Sequence, residues 1–129
     1  MASVFFSYSR ADHEFARGLA ESLRAYGHVT WMGEEKLAYG DLLIDQTQDA
    51  LRSASAVVAL LSENSKNSQW VAFELGAATA QGKRIFPILL SDDPSIVPFQ
   101  LQRIMYLRAT SQEPAGVAKT IHEALQREA

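Results

Sequence analysis

Short apolar runs alternate with amphipathic stretches along the chain. Val4, Phe5 and Phe6 form the first run, closed by Ser7-Tyr8-Ser9, a pattern that predicts a buried strand. Phe15, Leu19, Leu23 and Tyr26 then recur at three-to-four spacing, behind Asp12 as a cap and ahead of Gly27 as a left-handed stop. This predicts an amphipathic helix. His28 to Trp31 reads as a second strand, and Gly33 to Gly40 as a polar, glycine-bounded connection of a length that often carries function. A second helix is predicted from Asp41 or a neighbour through about Arg52. Ala54 to Leu61 is the most apolar run and predicts a central strand covered on both faces. After Ser62 the chain turns polar, and Ser68 is placed to cap a third helix from Gln69 to about Gln81, ended by Gly82. Ile85 to Leu90 predicts a fourth strand, Ser91 to Pro98 a loop, and Ile104 to Leu107 a fifth strand. The last helix is predicted over Ala115 to Arg127, where Val117, Ile121 and Leu125 recur at every fourth position.

The expected pattern is β-α repeated five times, which implies α/β architecture with parallel strands. With right-handed crossovers it becomes a flavodoxin-like three-layer sandwich, a five-stranded parallel sheet with helices on both faces. Ligands of such sheets sit at the carboxyl ends of the strands, where the winding reverses direction. The segments Ser7 to Arg10, Gly33 to Asp41 and Ser62 to Trp70 all follow strands and should line that edge. No internal repeat or low-complexity segment interrupts the pattern.

Composition narrows the function classes. A length of 129 residues suits one domain, 1–129, built on one core. Twelve Lys and Arg against fifteen Asp and Glu leave a net charge of −3, which offers no basic field for gripping a phosphate backbone. Nucleic acid is therefore not an expected partner. The absence of cysteine excludes disulfides, zinc-thiolate sites, Fe–S clusters and thiol nucleophiles. No apolar run approaches the roughly 20 residues that span a bilayer, and the amino terminus carries neither a basic n-region nor a cleavage pattern. A cytoplasmic protein without a membrane partner is the expectation.

Glu74 is the most unusual position, set in Val71-Ala72-Phe73-Glu74-Leu75-Gly76-Ala77-Ala78 among apolar or small neighbours. Carboxylates seldom occupy such surroundings unpaired. It follows Trp70 by four residues, so both project from one helical face, leaning toward the amino-terminal end and hence toward the ligand edge. The plainer alternative is a partly solvated carboxylate satisfied by the helix dipole. Ser7-Tyr8-Ser9-Arg10 supplies hydroxyls, backbone N–H groups and a guanidinium that suit a phosphate or ribose; alternatively it is a capping turn. Trp31 and Trp70 can stack on a flat ring or serve as core. Gly76 to Gly82 before Lys83 is no phosphate loop, because five residues separate the glycines and no Ser or Thr follows the lysine. His13, His28 and His122 lack metal-binding spacing, so no metal is expected, and no Gly-x-Ser-x-Gly elbow supports a serine hydrolase.

Taken together, several segments resemble the TIR domain, the Toll/interleukin-1 receptor module. The resemblance rests on Val4-Phe5-Phe6-Ser7-Tyr8-Ser9, on Trp31 through Leu37 to Gly40-Asp41, on Ser62-Glu63-Asn64, and on Ser68-Gln69-Trp70 followed by Phe73-Glu74-Leu75. It spans nearly the whole chain and implies the same five-stranded flavodoxin-like fold. One position departs: two residues after Trp31 the family often has an acid, where this chain has Gly33 beside Glu34 and Glu35.

In the bacterial-type, NAD-consuming branch, the key glutamate lies one turn after a Trp, as Glu74 lies after Trp70. The resemblance thus implies an NAD+ glycohydrolase acting in immune or antiphage defence, with Glu74 catalytic. Ser7, Tyr8, Arg10, Trp31, Leu37, Ser62 and Trp70 would bind substrate. NAD+ would be substrate, with no cofactor needed, and the product ADP-ribose or its cyclic form. The loop with Gly33, Leu37, Gly40 and Asp41 would mediate self-association through TIR–TIR contacts, under a sensor or regulatory domain outside this chain. Two other readings remain: a non-enzymatic scaffold that signals by TIR–TIR contact, and a nucleotide sensor that binds without turnover.

Overall fold

The computed structural model describes residues 2–32, 43–98, 101, 106–109 and 113–127. Strand β1 runs Ser3–Ser7, and a 3-10 turn at Arg10–Asp12 leads into helix α1, His13–Ala25. Strand β2 is Val29–Trp31, helix α2 Leu43–Ser53, strand β3 Ala56–Leu61 and helix α3 Gln69–Ala80. Strand β4 is Arg84–Leu89, followed by a 3-10 turn at Pro94–Ile96, strand β5 at Leu107–Arg108 and helix α4 at Pro114–Arg127. The five strands form one sheet in the order β2-β1-β3-β4-β5, and every neighbouring pair is parallel. This is the α/β, flavodoxin-like sandwich the sequence predicts. The winding reverses between β1 and β3, whose register pairs Ser7 with Ala59. That junction is where a doubly wound sheet opens its ligand crevice.

Apolar residues are sorted by strand alternation into two layers. On one side Val4, Phe6, Val58 and Leu60 pack with Leu19 and Leu23 of α1 and with Val117 and Ile121 of α4. On the other, Phe5, Val57, Ala59 and Leu61 pack with Leu51 of α2 and with Val71, Leu75 and Ala78 of α3. All six residues of β3 are buried, as expected of an interior parallel strand covered on both faces. Gly27 at φ 97° and Gly82 at φ 68° close α1 and α3, the left-handed stops that the sequence placed there. Lys83 reinforces the same corner by donating through Nζ to the carbonyls of Arg52, in the last turn of α2, and of Ala54 just beyond it.

Several boundaries differ from expectation. The strand predicted to begin at Ala54 begins at Ala56, because Ala54 N still bonds back to Leu51 O and Ser55 N to Ser3 O. Tyr26 does not join the α1 stripe: it is 44% exposed, and its ring stacks on His122 with centroids 4.1 Å apart. Among the described residues β4 is followed by the 3-10 turn at Pro94–Ile96, with no α-helix before β5. Strand β5 is Leu107–Arg108; Ile104 and Met105 of the predicted fifth strand lie outside the described residues. Gly33, Leu37, Gly40 and Asp41, the expected assembly loop, lie outside the described residues.

Candidate active site

Glu74 reaches the reversal point through α3. Ser68 caps that helix, its hydroxyl accepting from Val71 N at 3.2 Å, which satisfies one of the orphan donors at the helix start. With the helix seated on β1 and β3 by Val71, Leu75 and Ala78, Glu74 is carried into the sheet side of α3 and left only 2% exposed. Its Oε1 accepts a hydrogen bond of 2.9 Å from Ser7 Oγ at the carboxyl end of β1. Ser7 is itself fully buried. A carboxylate so deeply placed carries a large desolvation cost, and a hydroxyl aimed at it is the compensation such burial requires.

The other predicted residues divide by face. Trp31 pairs in register with Phe5 and packs partly buried against the same layer as α3. Its Nε1 donor has no hydrogen-bond partner among the described residues. Trp70 is half-buried on the first turn of α3, its ring tilted against Phe73 at 5.3 Å. Tyr8 is carried to the opposite layer, buried with the α1 and α4 residues, where its hydroxyl lies 3.4 Å from His13 Nδ1. Arg10 is exposed in the turn before α1. Ser7, Glu74 and Trp31 thus share the α3 side of the sheet, while Tyr8 does not.

Ser62 sits just past β3, and its hydroxyl is heavily used. It donates to Asp12 Oδ2 at 2.5 Å and accepts from Asn64 N at 3.0 Å and Ser65 N at 3.3 Å. Asp12, expected to cap α1, makes no side-chain cap hydrogen bond. Its carboxylate instead crosses to the loop after β3, where Oδ1 also accepts from Asn64 Nδ2 at 2.9 Å. A carboxylate ahead of a helix has the same sequence pattern whether it bonds back to the helix or across to a neighbour, so spacing alone misses this link.

A second unexpected contact lies at the opposite end of the sheet. Ala2 N donates to His28 Nδ1 at 3.0 Å, and His28 Nε2 lies 2.8 Å from His122 Nδ1, although 94 residues separate the two histidines. Burial, followed by the neighbouring His122 and the chain's amino terminus, lowers the His28 pKa from its ordinary 6.5. Among the described residues no three His, Cys, Asp or Glu side chains converge into a metal-binding group, and no helix is long and apolar enough to cross a membrane. A cavity of about 280 Å³ opens on the β4 side of α3, lined by Leu61, Ser65, Ser68, Val71 and Ile96 among others. Glu74, turned toward β1, is not part of its lining.

The chain is 33% identical over 72 residues to the NAD(+) hydrolase TcpC of Escherichia coli, a match covering 55% of this chain and 24% of that protein. It is 32% identical over 90 residues to the 2' cyclic ADP-D-ribose synthase AbTIR of Acinetobacter baumannii, covering 66% of this chain and 34% of that one. The aligned parts therefore span about a quarter and a third of those relatives' lengths. Among solved structures, the TIR domain of the Toll-related receptor TRR-2 from Hydra magnipapillata superposes with a TM-score of 0.78 at 19% identity, over 99% of this chain and 98% of that one; it shares the fold. The TIR domain family model matches from residue 4 to residue 124, from the first buried strand through the helix that closes the sheet, and the chain belongs to that family.

Proposed function

We propose that this protein is an NAD+ glycohydrolase with Glu74 as its catalytic carboxylate, acting in defence signalling and activated by self-assembly. The observation that carries the reading is the placement of Glu74: an acid 2% exposed, held by Ser7, at the point where the sheet order reverses. The names of the two relatives, an NAD(+) hydrolase and a cyclic ADP-ribose synthase, give the chemistry its substrate class.

The chemistry suits a single carboxylate. In NAD+ the nicotinamide ring nitrogen is already cationic, so cleavage of its bond to C1′ sends the bonding pair to that nitrogen and neutralises it without a general acid. Positive charge moves onto the ribose in an oxocarbenium-like transition state, where a nearby anion stabilises it and accepts hydrogen bonds from the ribose hydroxyls. Water attack at C1′ with loss of a proton gives ADP-ribose; attack from the adenosine half of the same molecule gives a cyclic product. Trp31 and Trp70 would flank the bound nucleotide, and Arg10 would meet its phosphates. The loop carrying Gly33, Leu37, Gly40 and Asp41 would join copies and close the site.

NAD+ loss by concentrated protein, compared with Glu74→Gln, is the test. The amide keeps the side-chain shape and can still accept from Ser7, so the variant should fold while its turnover falls about a hundredfold or more. Equal inertness of both proteins at all concentrations, with and without crowding agent, overturns the enzymatic reading in favour of a scaffold. Assembly preserved in Glu74→Gln but lost after substitution of Gly40 or Asp41 would separate the chemistry from the contact.

A further inference from the structure

We infer that Asp12 is a positioning residue for cleavage at Glu74: its carboxylate sets the width of the crevice by tying together the two chain segments that splay apart above Ser7. The inference rests on the glycohydrolase reading and extends it to a residue that touches neither Glu74 nor the reacting bond.

The topology creates the need. Ser7 and Ala59 are register partners on adjacent parallel strands, so the chain leaves both strands in the same direction. The segment after β1 then turns to α1 on one face of the sheet, and the segment after β3 turns to α3 on the other. Beneath their divergence lie Ser7 and Glu74, 2.9 Å apart. Beyond Tyr8, which packs into the core, Arg10 and Ala11 on one segment and Glu63 and Asn64 on the other are exposed, so polar contacts must connect the two segments there.

Asp12 supplies the connection. One carboxylate oxygen accepts from Ser62 Oγ at 2.5 Å and the other from Asn64 Nδ2 at 2.9 Å, so both are committed across the gap. The same carboxylate makes no side-chain cap hydrogen bond to α1, at a position where that bond is the usual role of an aspartate. Ser62 is anchored in turn by a reciprocal pair, its N donating to Ser65 Oγ at 2.9 Å and its carbonyl accepting from the same hydroxyl at 3.1 Å. The turn at Arg10–Asp12 is closed by Asp12 N donating to Ser9 O at 2.8 Å. Two internally braced turns are thus coupled by one carboxylate. On this proposal a ribose reaches Glu74 between those two turns, and an error of placement there costs catalysis more than binding.

The experiment measures kcat and KM for NAD+ cleavage, with thermal midpoints, in wild type, Asp12→Asn, Asp12→Ala, Ser62→Ala and the Asp12→Ala/Ser62→Ala double variant. Asparagine retains one acceptor oxygen and nearly the same shape, so Asp12→Asn should fold and lose about tenfold in kcat; Asp12→Ala should lose about a hundredfold, each with KM within about threefold of wild type. The double variant should be no slower than Asp12→Ala, since both changes remove one link. An unchanged kcat in the folded Asp12→Asn and Asp12→Ala proteins, a change in KM alone, or multiplicative losses in the double variant would each overturn the inference while leaving a live wild type. A wild type as inert as Glu74→Gln removes the glycohydrolase reading, and this inference with it.

Discussion

The hydroxyl of Ser7 is the residue-scale counterpart of Glu74. It is fully buried and points its proton at a carboxylate oxygen, so it holds the acid in one rotamer while leaving the rest of the carboxylate to other partners. Removing the hydroxyl leaves a buried acceptor short of one donor, a cost of about 1–3 kcal/mol. Ser7→Ala should therefore lower the chemical-denaturation stability by that amount, while Ser9→Ala, in a half-exposed position, should lower it less. Under the proposed reaction Ser7→Ala should also slow kcat, because the carboxylate loses one of the contacts that aim it. Parallel measurements of unfolding and NAD+ turnover separate the two effects.

At the scale of elements, the contact between His28 and His122 ties the corner before β2 to α4 and has a definite proton requirement. The amide of Ala2 donates to His28 Nδ1, so that nitrogen must be bare and Nε2 must carry the proton. Nε2 then donates to His122 Nδ1, so His28 is neutral in the intact contact. The His28 pKa is lowered in the folded protein, chiefly by burial and then by His122 and the amino terminus. Below pH 6.5 the unfolded chain therefore binds a proton that the folded chain refuses. Stability from this group is fully present above 6.5 and declines as pH falls toward the lowered folded value, at up to one proton, or about 1.4 kcal/mol per pH unit. Urea midpoints between pH 7.5 and 5 should show that slope, and His28→Gln should flatten it; an equal slope in both proteins would assign the acid sensitivity to other groups. This pair also shows what sequence spacing conveys. Helices and strands were legible because a 3.6-residue period and a short apolar run are local signals, and Glu74 stood out because an acid among apolar helix residues is conspicuous in one dimension. The His28–His122 contact and the reach of Asp12 to Ser62 depend on which elements the sheet order makes neighbours, and nothing in either local pattern encodes that.

For the molecule as a whole, β3 is the strand buried along its entire length and packed into both layers. Val58 and Leu60 face the α1 and α4 layer, whereas Val57, Ala59 and Leu61 face the layer that seats α3. Truncation on one side should be felt across the sheet. Leu60→Ala removes a fully buried side chain and should cost about 2–5 kcal/mol. Fluorescence from Trp31 and Trp70, which report the α3 side, should unfold together with far-ultraviolet ellipticity in a single shifted transition. Two separated transitions would show that the layers are independent.

The reversal between β1 and β3 has a consequence for the chain's synthesis. In the order of synthesis Ser7 precedes Glu74 by 67 positions, and Asp12 precedes Ser62 by 50. Closing those long intervals costs entropy that only the paired strands repay. On the ribosome the amino-terminal strand must therefore stay without its central neighbour until β3 has left the exit tunnel, and its apolar residues are open to chaperones meanwhile. No nascent chain can assemble the Ser7–Glu74 pair before α3 has emerged, so a product that stops short of α3 leaves the Ser7 hydroxyl without the acceptor it has in the folded protein.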